Sequence, residues 1–366
     1  MNPVIVCTPR QLVTEMWDAV LALDEPAALA VVLRALDDGW EAESVLLDVI
    51  AAVQGRVGEE WAANRITVAQ EHAATAISER AVAALARHPH ALASTTGRRI
   101  TVVCVDGEWH ALPARLLAEV LRLRGWHVDY LGAQVPTPHL IAHLHRTGPD
   151  AVALSSSIPT RLPAAHATIT ACQAAGVPVM VGGAAFGPGG QYARLLSADA
   201  WAPDARTAAD DLARRPLDRP QPAHQPIDDL PHLSDQEYTL VVRARPALVR
   251  TVFTGLQDAY PAMRGYTEGQ RERTAEDLSH IVEFLGAALY TGDGELFSRF
   301  LLWTADVLNV RGVPAHSLLP ALDLLGRELK DFPRAAGMLR AGAARLTCTP
   351  LTASASATAS ASGTAE

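Results

Sequence analysis

Lysine is nearly absent from this chain. Of 31 basic residues one is lysine, Lys330, and no stretch gathers the arginines into a block. With 40 acidic residues and a net charge of −9, the surface has no basic stripe to grip a phosphate backbone, so direct contact with nucleic acid is not expected. Cysteine is sparse too. Cys7, Cys104, Cys172 and Cys348 have neither disulfide-framework nor zinc-site spacing, which fits a reducing compartment. Cys104 reads as a small core residue within a strand. No apolar run reaches the ~18 residues that would span a bilayer, and no basic segment followed by an apolar one marks a leader. No membrane contact is expected, and the expected location is the cytoplasm. Aromatic residues make up 5% of the chain against 49% hydrophobic, so Ala, Leu and Val must fill the cores. That favours helices and an α/β layer over an all-β fold.

The 366 residues suffice for two or three domains. Residues 10–92 carry apolar positions at helical spacing, as in Leu12, Met16, Ala19, Val20 and Leu23. Further runs cover Pro26–Leu36 and Ala42–Ala63. Asn64 suits a left-handed cap, and Thr67-Val68-Ala69-Gln70 reads as a capping box opening a new helix. The segment predicts a four-helix bundle. Over 98–214 the period changes. Ile100–Val105, Val128–Leu131, Ala151–Ser155 and Val177–Val181, with a weaker Asp199–Trp201, are short strand-like runs. Helical segments 111–124, 137–146, 161–175 and 188–197 lie between them. This alternation predicts a parallel sheet covered on both faces, with ligands outside the strands' carboxyl ends near a topological switch. Prolines 216, 220, 222, 226 and 231 mark 215–234 as an extended linker. Residues 235–346 return to helical periods, including Leu278, Ile281, Val282, Leu285 and Leu289. Residues 347–366 are an Ala/Ser/Thr tail expected to be disordered.

The chemistry gathers at strand ends. Glu108-Trp109-His110 follows the first strand, Ser155-Ser156-Ser157 the third and Gly182-Gly183 the fourth. A histidine that ligates a metal presents one neutral ring nitrogen, and its other nitrogen needs an acceptor to fix the tautomer. Glu108 is placed to be that acceptor. Upstream, Trp61 lies ten residues before Glu71-His72.

These motifs resemble the cobalamin-binding domains of methionine synthase and of the CarH-type light-sensing repressors. There an Asp/Glu-x-His-x-x-Gly motif, a serine motif and a Gly-Gly follow the corresponding strands. The resemblance implies a Rossmann-like cobalamin-binding domain in which His110 is the cobalt ligand, supported by Glu108. The displaced nucleotide base would enter a crevice lined by Ser155 and Ser157, with Gly182 and Gly183 admitting it closely. Pro113 stands where the family has Gly. The Trp61-x9-Glu71-His72 spacing is similar to that of the light-sensing group, where the Trp packs against an adenosyl group and the acid–His pair contacts it. Some members have a His after that Trp. Here the residue is Ala62, so light-induced bis-His ligation through that position is unavailable.

The helical segment after the linker resembles the globin-like sensor domains of stress-signalling proteins. The whole arrangement is similar to the photocobilins, in which such a domain binds biliverdin beside cobalamin. The resemblance covers about residues 10–346 and is strongest over 40–205. It implies a photoreceptor, not an enzyme, that carries adenosylcobalamin and biliverdin, assembles as a light-dependent homo-oligomer and signals to a downstream protein not identifiable from the sequence. Trp303, Tyr290, Phe284, Tyr266, Arg273 and Arg299 are residue types a bilin would use. His280 lies about 200° around its helix from Leu278, away from the apolar stripe, and is a poor haem ligand. Two other readings remain open: a corrinoid methyl carrier serving a methyltransferase, and a signalling scaffold with a degenerate site.

Overall fold

Capping and one-sided burial set the N-terminal helices of the computed structural model, which describes residues 8–91, 97–220 and 229–348. Thr8 and Gln11 form a capping box on α1 (Pro9–Leu21), and Asp24 caps α2 (Glu25–Asp37). α3 (Ala42–Ser44) runs through a π-helical stretch, Val45–Ile50, into α4 (Ala51–Ala62). Asn64 then takes φ 55°, and the predicted Thr67–Gln70 capping box opens α5 (Val68–Leu85). Met16, Leu36, Leu46, Ile50 and Leu85 from these helices are buried in one core.

The middle of the chain alternates strand and helix. The elements are β1 (Arg99–Cys104), α6 (Leu112–Leu123), β2 (His127–Gly132), α7 (Thr137–Thr147), β3 (Ala151–Ser155), α8 (Leu162–Ala174), β4 (Val179–Gly182), α9 (Gln191–Leu195), β5 (Ala200–Ala202) and α10 (Ala205–Arg214). All strand pairs are parallel, in the order β2-β1-β3-β4-β5. The switch point therefore lies between β1 and β3. Register levels the strand ends: Cys104 pairs with Ser155, Ser155 with Gly182, and Gly182 with Ala202. Cys104 is the last residue of β1 rather than a mid-strand one.

Strand alternation sends neighbouring residues to different cores. Val102, Cys104, Ala153 and Met180 pack with α6, α10 and the N-terminal helices. Val103, Val105, Val152, Leu154, Val179 and Val181 pack with α7, α8 and the C-terminal helices. The latter are α11 (Glu237–Ala259), α12 (Glu268–Thr291), α13 (Gly294–Val310), α14 (Leu318–Glu328) and α15 (Pro333–Cys348). α13 and α15 approach closely at Gly342, where a Cβ would stand 2.5 Å from Leu301 Cδ1.

The end of the Pro-rich segment departs from the expected extended linker. Leu230 is buried and Pro231–Asp235 forms a 3₁₀ turn. Asp229 is fixed by His166 Nε2 at 3.0 Å and accepts from Ser197 Oγ at 3.2 Å. Fully buried His166 also meets the Tyr290 hydroxyl at 2.9 Å. A buried imidazole needs polar partners, and here the chain entering the C-terminal helices provides one. Residues 221–228, the tail from 349 onward, Cys7 and Leu92 lie outside the described residues. No helix among the described residues is long and apolar enough to cross a membrane.

Candidate functional site

The turn after β1 aims its side chains by two local devices. Gly107 takes φ 76°, and the Arg161 side chain packs where its Cβ would be, 3.0 Å from Nη1. The Glu108 N–H donates to Val105 O at 2.8 Å, and its carbonyl accepts from Gln134 N at 3.0 Å. This brings the Glu108 side chain inward, where it has no exposed surface.

Each carboxylate oxygen has its own task. Oε1 accepts from the backbone N–H of His110 at 3.0 Å and lies 2.6 Å from His110 Nδ1. Oε2 accepts from the N–H groups of Ser157 at 2.7 Å and Ile158 at 3.3 Å, and from Ser156 Oγ at 3.3 Å. Burial works to raise the carboxyl's pKa, but hydrogen bonds from the His110 ring, the His110 N–H and the Ser157 N–H outweigh it and hold it at about 2. Glu108 is therefore ionised at neutral pH and has no proton to give. His110 Nδ1 must be the donor, which leaves Nε2 to offer a lone pair while the ring is neutral. The His110 side chain is about one-third exposed, so that lone pair has access to a ligand. Beneath it Cys104 is buried, and burial, with the charge of Glu108, pushes its thiol up to about 12. It stays a thiol at neutral pH.

A crevice of about 120 Å³ opens beside the switch point, lined among others by Pro113, Ser155, Met180, Gly182, Gly183 and Asp204. Gly183 is required here. It takes φ 100°, and a Cβ would lie 2.2 Å from Ser156 O. Gly182 has ordinary φ and would meet Ala202 O at 3.4 Å. Ser157 was expected in this crevice with Ser155, but does not line it. Its N–H is committed to Glu108, because the chain turns after Ser155 toward the carboxylate.

The N-terminal helices provide the other face. Trp61, near the end of α4, is partly buried. On α5, Glu71 Oε2 lies 2.7 Å from His72 Nδ1, and Glu71 Oε1 accepts from Thr75 Oγ1 at 3.1 Å. Thr75 in turn accepts from Gln54 Nε2 at 2.8 Å, while Gln54 Oε1 is buried without a partner. His72 Nδ1 also faces Val68 O at 3.0 Å. Trp109 bridges the two faces. It stacks on His110 with ring centres 4.2 Å apart and stands 6.4 Å from His72. It is 52% exposed.

Ser156, Ile158, Gln54 and Thr75 were not anticipated. The first two act through groups that have no sequence signature: a common hydroxyl and a backbone N–H. Thr75, four residues after Glu71, was detectable as an i,i+4 pair. The residues suggested for a bilin are largely engaged elsewhere. Phe284 stacks on Phe300 at 3.8 Å, Tyr290 bonds His166, and Arg299 donates to Tyr192 Oη at 3.1 Å. His280 is exposed, as expected.

Among the described residues no group of three or more His, Cys, Asp and Glu could hold a metal ion. His110 with Glu108 instead suits a metal that arrives held by its own macrocycle and needs one protein nitrogen. The crevice beside Ser155 and Gly183 suits a tail from such a group. The donor set fits a corrinoid.

The comparisons point the same way. Residues 98–213 match a B12 binding domain model, and residues 12–86 match a second B12 binding domain model. The HTH-type transcriptional repressor CarH of Myxococcus xanthus is 34% identical over 168 residues, covering 44% of this chain and 51% of the repressor. The HTH-type transcriptional repressor CarA of the same organism is 30% identical over 200 residues, covering 50% of this chain and 65% of CarA. The chain thus spans about half to somewhat under two-thirds of these curated relatives. Both relatives are named as transcriptional repressors, whereas the composition of this chain argues against nucleic-acid contact. In fold, a Methanosarcina barkeri monomethylamine corrinoid protein matches with a TM-score of 0.50 at 18% identity, covering 57% of this chain and 99% of that one. Residues 12–86 and 98–213 therefore each resemble a B12 binding domain, the second built on a Rossmann-like parallel sheet, and about half of the chain is similar in sequence to the CarH and CarA repressors.

Proposed function

We propose that this chain is a light sensor, not an enzyme, that binds adenosylcobalamin with His110 as the lower cobalt ligand. The observation that carries the reading is the ionised Glu108 on His110 Nδ1, which leaves Nε2 available to ligate a metal. When bound, adenosylcobalamin supplies a cobalt–carbon bond that visible light breaks. Trp61 offers an indole face for adenine, and Glu71, with His72 beside it, offers a carboxylate for ribose hydroxyls. Those contacts belong to α4 and α5, whereas His110 belongs to the sheet. A ligand held by both would therefore bias the N-terminal helices, acting as a four-helix bundle, against the sheet. The protein works as a homo-oligomer whose assembly follows that bias. The C-terminal helices are a globin-like sensor domain. The output acts on transcription, directly or through a partner, in line with the repressors it resembles. The matched domains end at residue 213 and lend no support to biliverdin in the C-terminal helices.

The test is reconstitution with adenosylcobalamin in the dark, followed by absorption spectra and size-exclusion profiles before and after green light. Both should change. If neither changes, the light-sensing reading fails. Tighter binding of methylcobalamin than of adenosylcobalamin, with profiles indifferent to light, would instead select the methyl-carrier reading.

A further inference from the structure

We propose that Arg311 couples the C-terminal helices to the upper face of the cobalamin site. The inference rests on the cobalamin reading above. Arg311 follows α13 directly. Its Nη1 donates back to Val307 O at 3.4 Å, and its Cζ lies 5.0 Å from the centre of the Trp61 ring. A guanidinium over an indole face is attracted by the ring quadrupole. The contact joins the turn after α13, within the C-terminal helical set, to a residue of the N-terminal helices.

Asp277, on α12, attracts the same guanidinium. Burial raises this carboxyl's pKa, and His280, Arg311 and Arg273 act against the rise while Glu276 adds to it. Arg311 is therefore attracted both by a carboxyl of its own helical set and by an aromatic ring of the other. A guanidinium attracted by two groups makes a contact that can be redistributed between them. α12 also packs on the turn Pro159–Arg161, which directly follows the Ser157 and Ile158 N–H groups on Glu108. The C-terminal helices thus meet both the loop that supports Glu108 and the Trp61 indole. At the Glu108 cradle the contact is a partly buried turn. At Trp61 it is an exposed, adjustable cation on the indole that an adenosyl group would use.

Linkage then sets the effect. If Arg311 holds Trp61 where a purine stacks, its removal weakens ligands that use the indole and spares ligands that do not. The test measures dark affinities for adenosylcobalamin and methylcobalamin, and amide hydrogen exchange over residues 300–312, in wild type, Arg311→Gln, Arg311→Lys and Asp277→Asn. In Arg311→Gln the adenosyl affinity should fall roughly two- to five-fold, with methylcobalamin affinity and the His-on spectrum unchanged. The exchange difference between adenosyl- and methyl-loaded protein at 300–312 should vanish. Arg311→Lys should retain part of both effects. Asp277→Asn, which frees the guanidinium for Trp61, should move the affinity ratio the other way. An unchanged ratio and exchange difference in Arg311→Gln overturns the inference alone. A wild-type protein that does not bind adenosylcobalamin overturns the cobalamin reading and this inference with it.

Discussion

Glu108 Oε1 lies 2.6 Å from His110 Nδ1, and the carboxylate is ionised because Ser157 and the His110 backbone also donate to it. The pair works in one direction: the acid decides which ring nitrogen faces outward. His110→Ala should abolish the His-on cobalamin spectrum. Glu108→Gln should keep the imidazole but loosen its tautomer and orientation, lowering cobalamin affinity about 10–100-fold. Spectral titration of the two variants separates the ligand from its support.

The same carboxylate should leave a mark on acid stability. Its pKa falls from 4.5 to about 2 on folding, so folding favours the ionised form. Its contribution is present in full above about pH 4.5, declines as pH falls and is gone below about pH 2. It amounts to about 3 kcal/mol. Urea midpoints measured between pH 5.5 and 2.5 should fall more steeply in wild type than in Glu108→Gln. Parallel slopes would show that the carboxylate is not held as described.

The two glycines after β4 should respond differently. Gly183→Ala places a Cβ 2.2 Å from Ser156 O at φ 100°, and should cost about 2 kcal/mol or more. It should also disturb the Ser156 loop that holds Glu108. Gly182→Ala meets an atom at 3.4 Å with ordinary φ and should cost less than about 1 kcal/mol. Chemical denaturation of both variants checks the contrast.

Thr75 links Gln54 to Glu71. Thr75→Val leaves the Gln54 amide without its acceptor and should destabilise by about 1–3 kcal/mol. It should also weaken adenosylcobalamin more than methylcobalamin, because Glu71 loses a fixed orientation. Thr75→Ser, which keeps the hydroxyl, should restore both the melting temperature and the preference.

Parts of this arrangement are legible in the residues themselves. The shift from helical to alternating period near Arg99 predicts the strands, and turn chemistry predicts the α5 capping box. Glu108 and His110 are two residues apart, so their pairing is a local matter. The Pro-rich segment misleads because composition describes a chain in isolation. His166 and Ser197, 63 and 32 residues upstream, supply partners for Asp229 that no local pattern encodes. Ser157 misleads for a related reason: its contribution comes from the backbone N–H, which every non-proline residue carries. The Arg311–Trp61 contact spans 250 positions and depends on how two helical sets are placed around one sheet.

That placement has a consequence of its own. The sheet is a septum. Val102 and Val103 are adjacent in the chain, yet one belongs to the core shared with the N-terminal helices and the other to the core shared with the C-terminal helices. A rearrangement on one side meets a wall of hydrogen-bonded strands, not a continuous packed interior. Traffic between the two sides must pass around the rim, and the rim at the strands' carboxyl ends is where His110, Trp109 and the Glu108 cradle stand. A ligand seated there would sit in the doorway between the compartments.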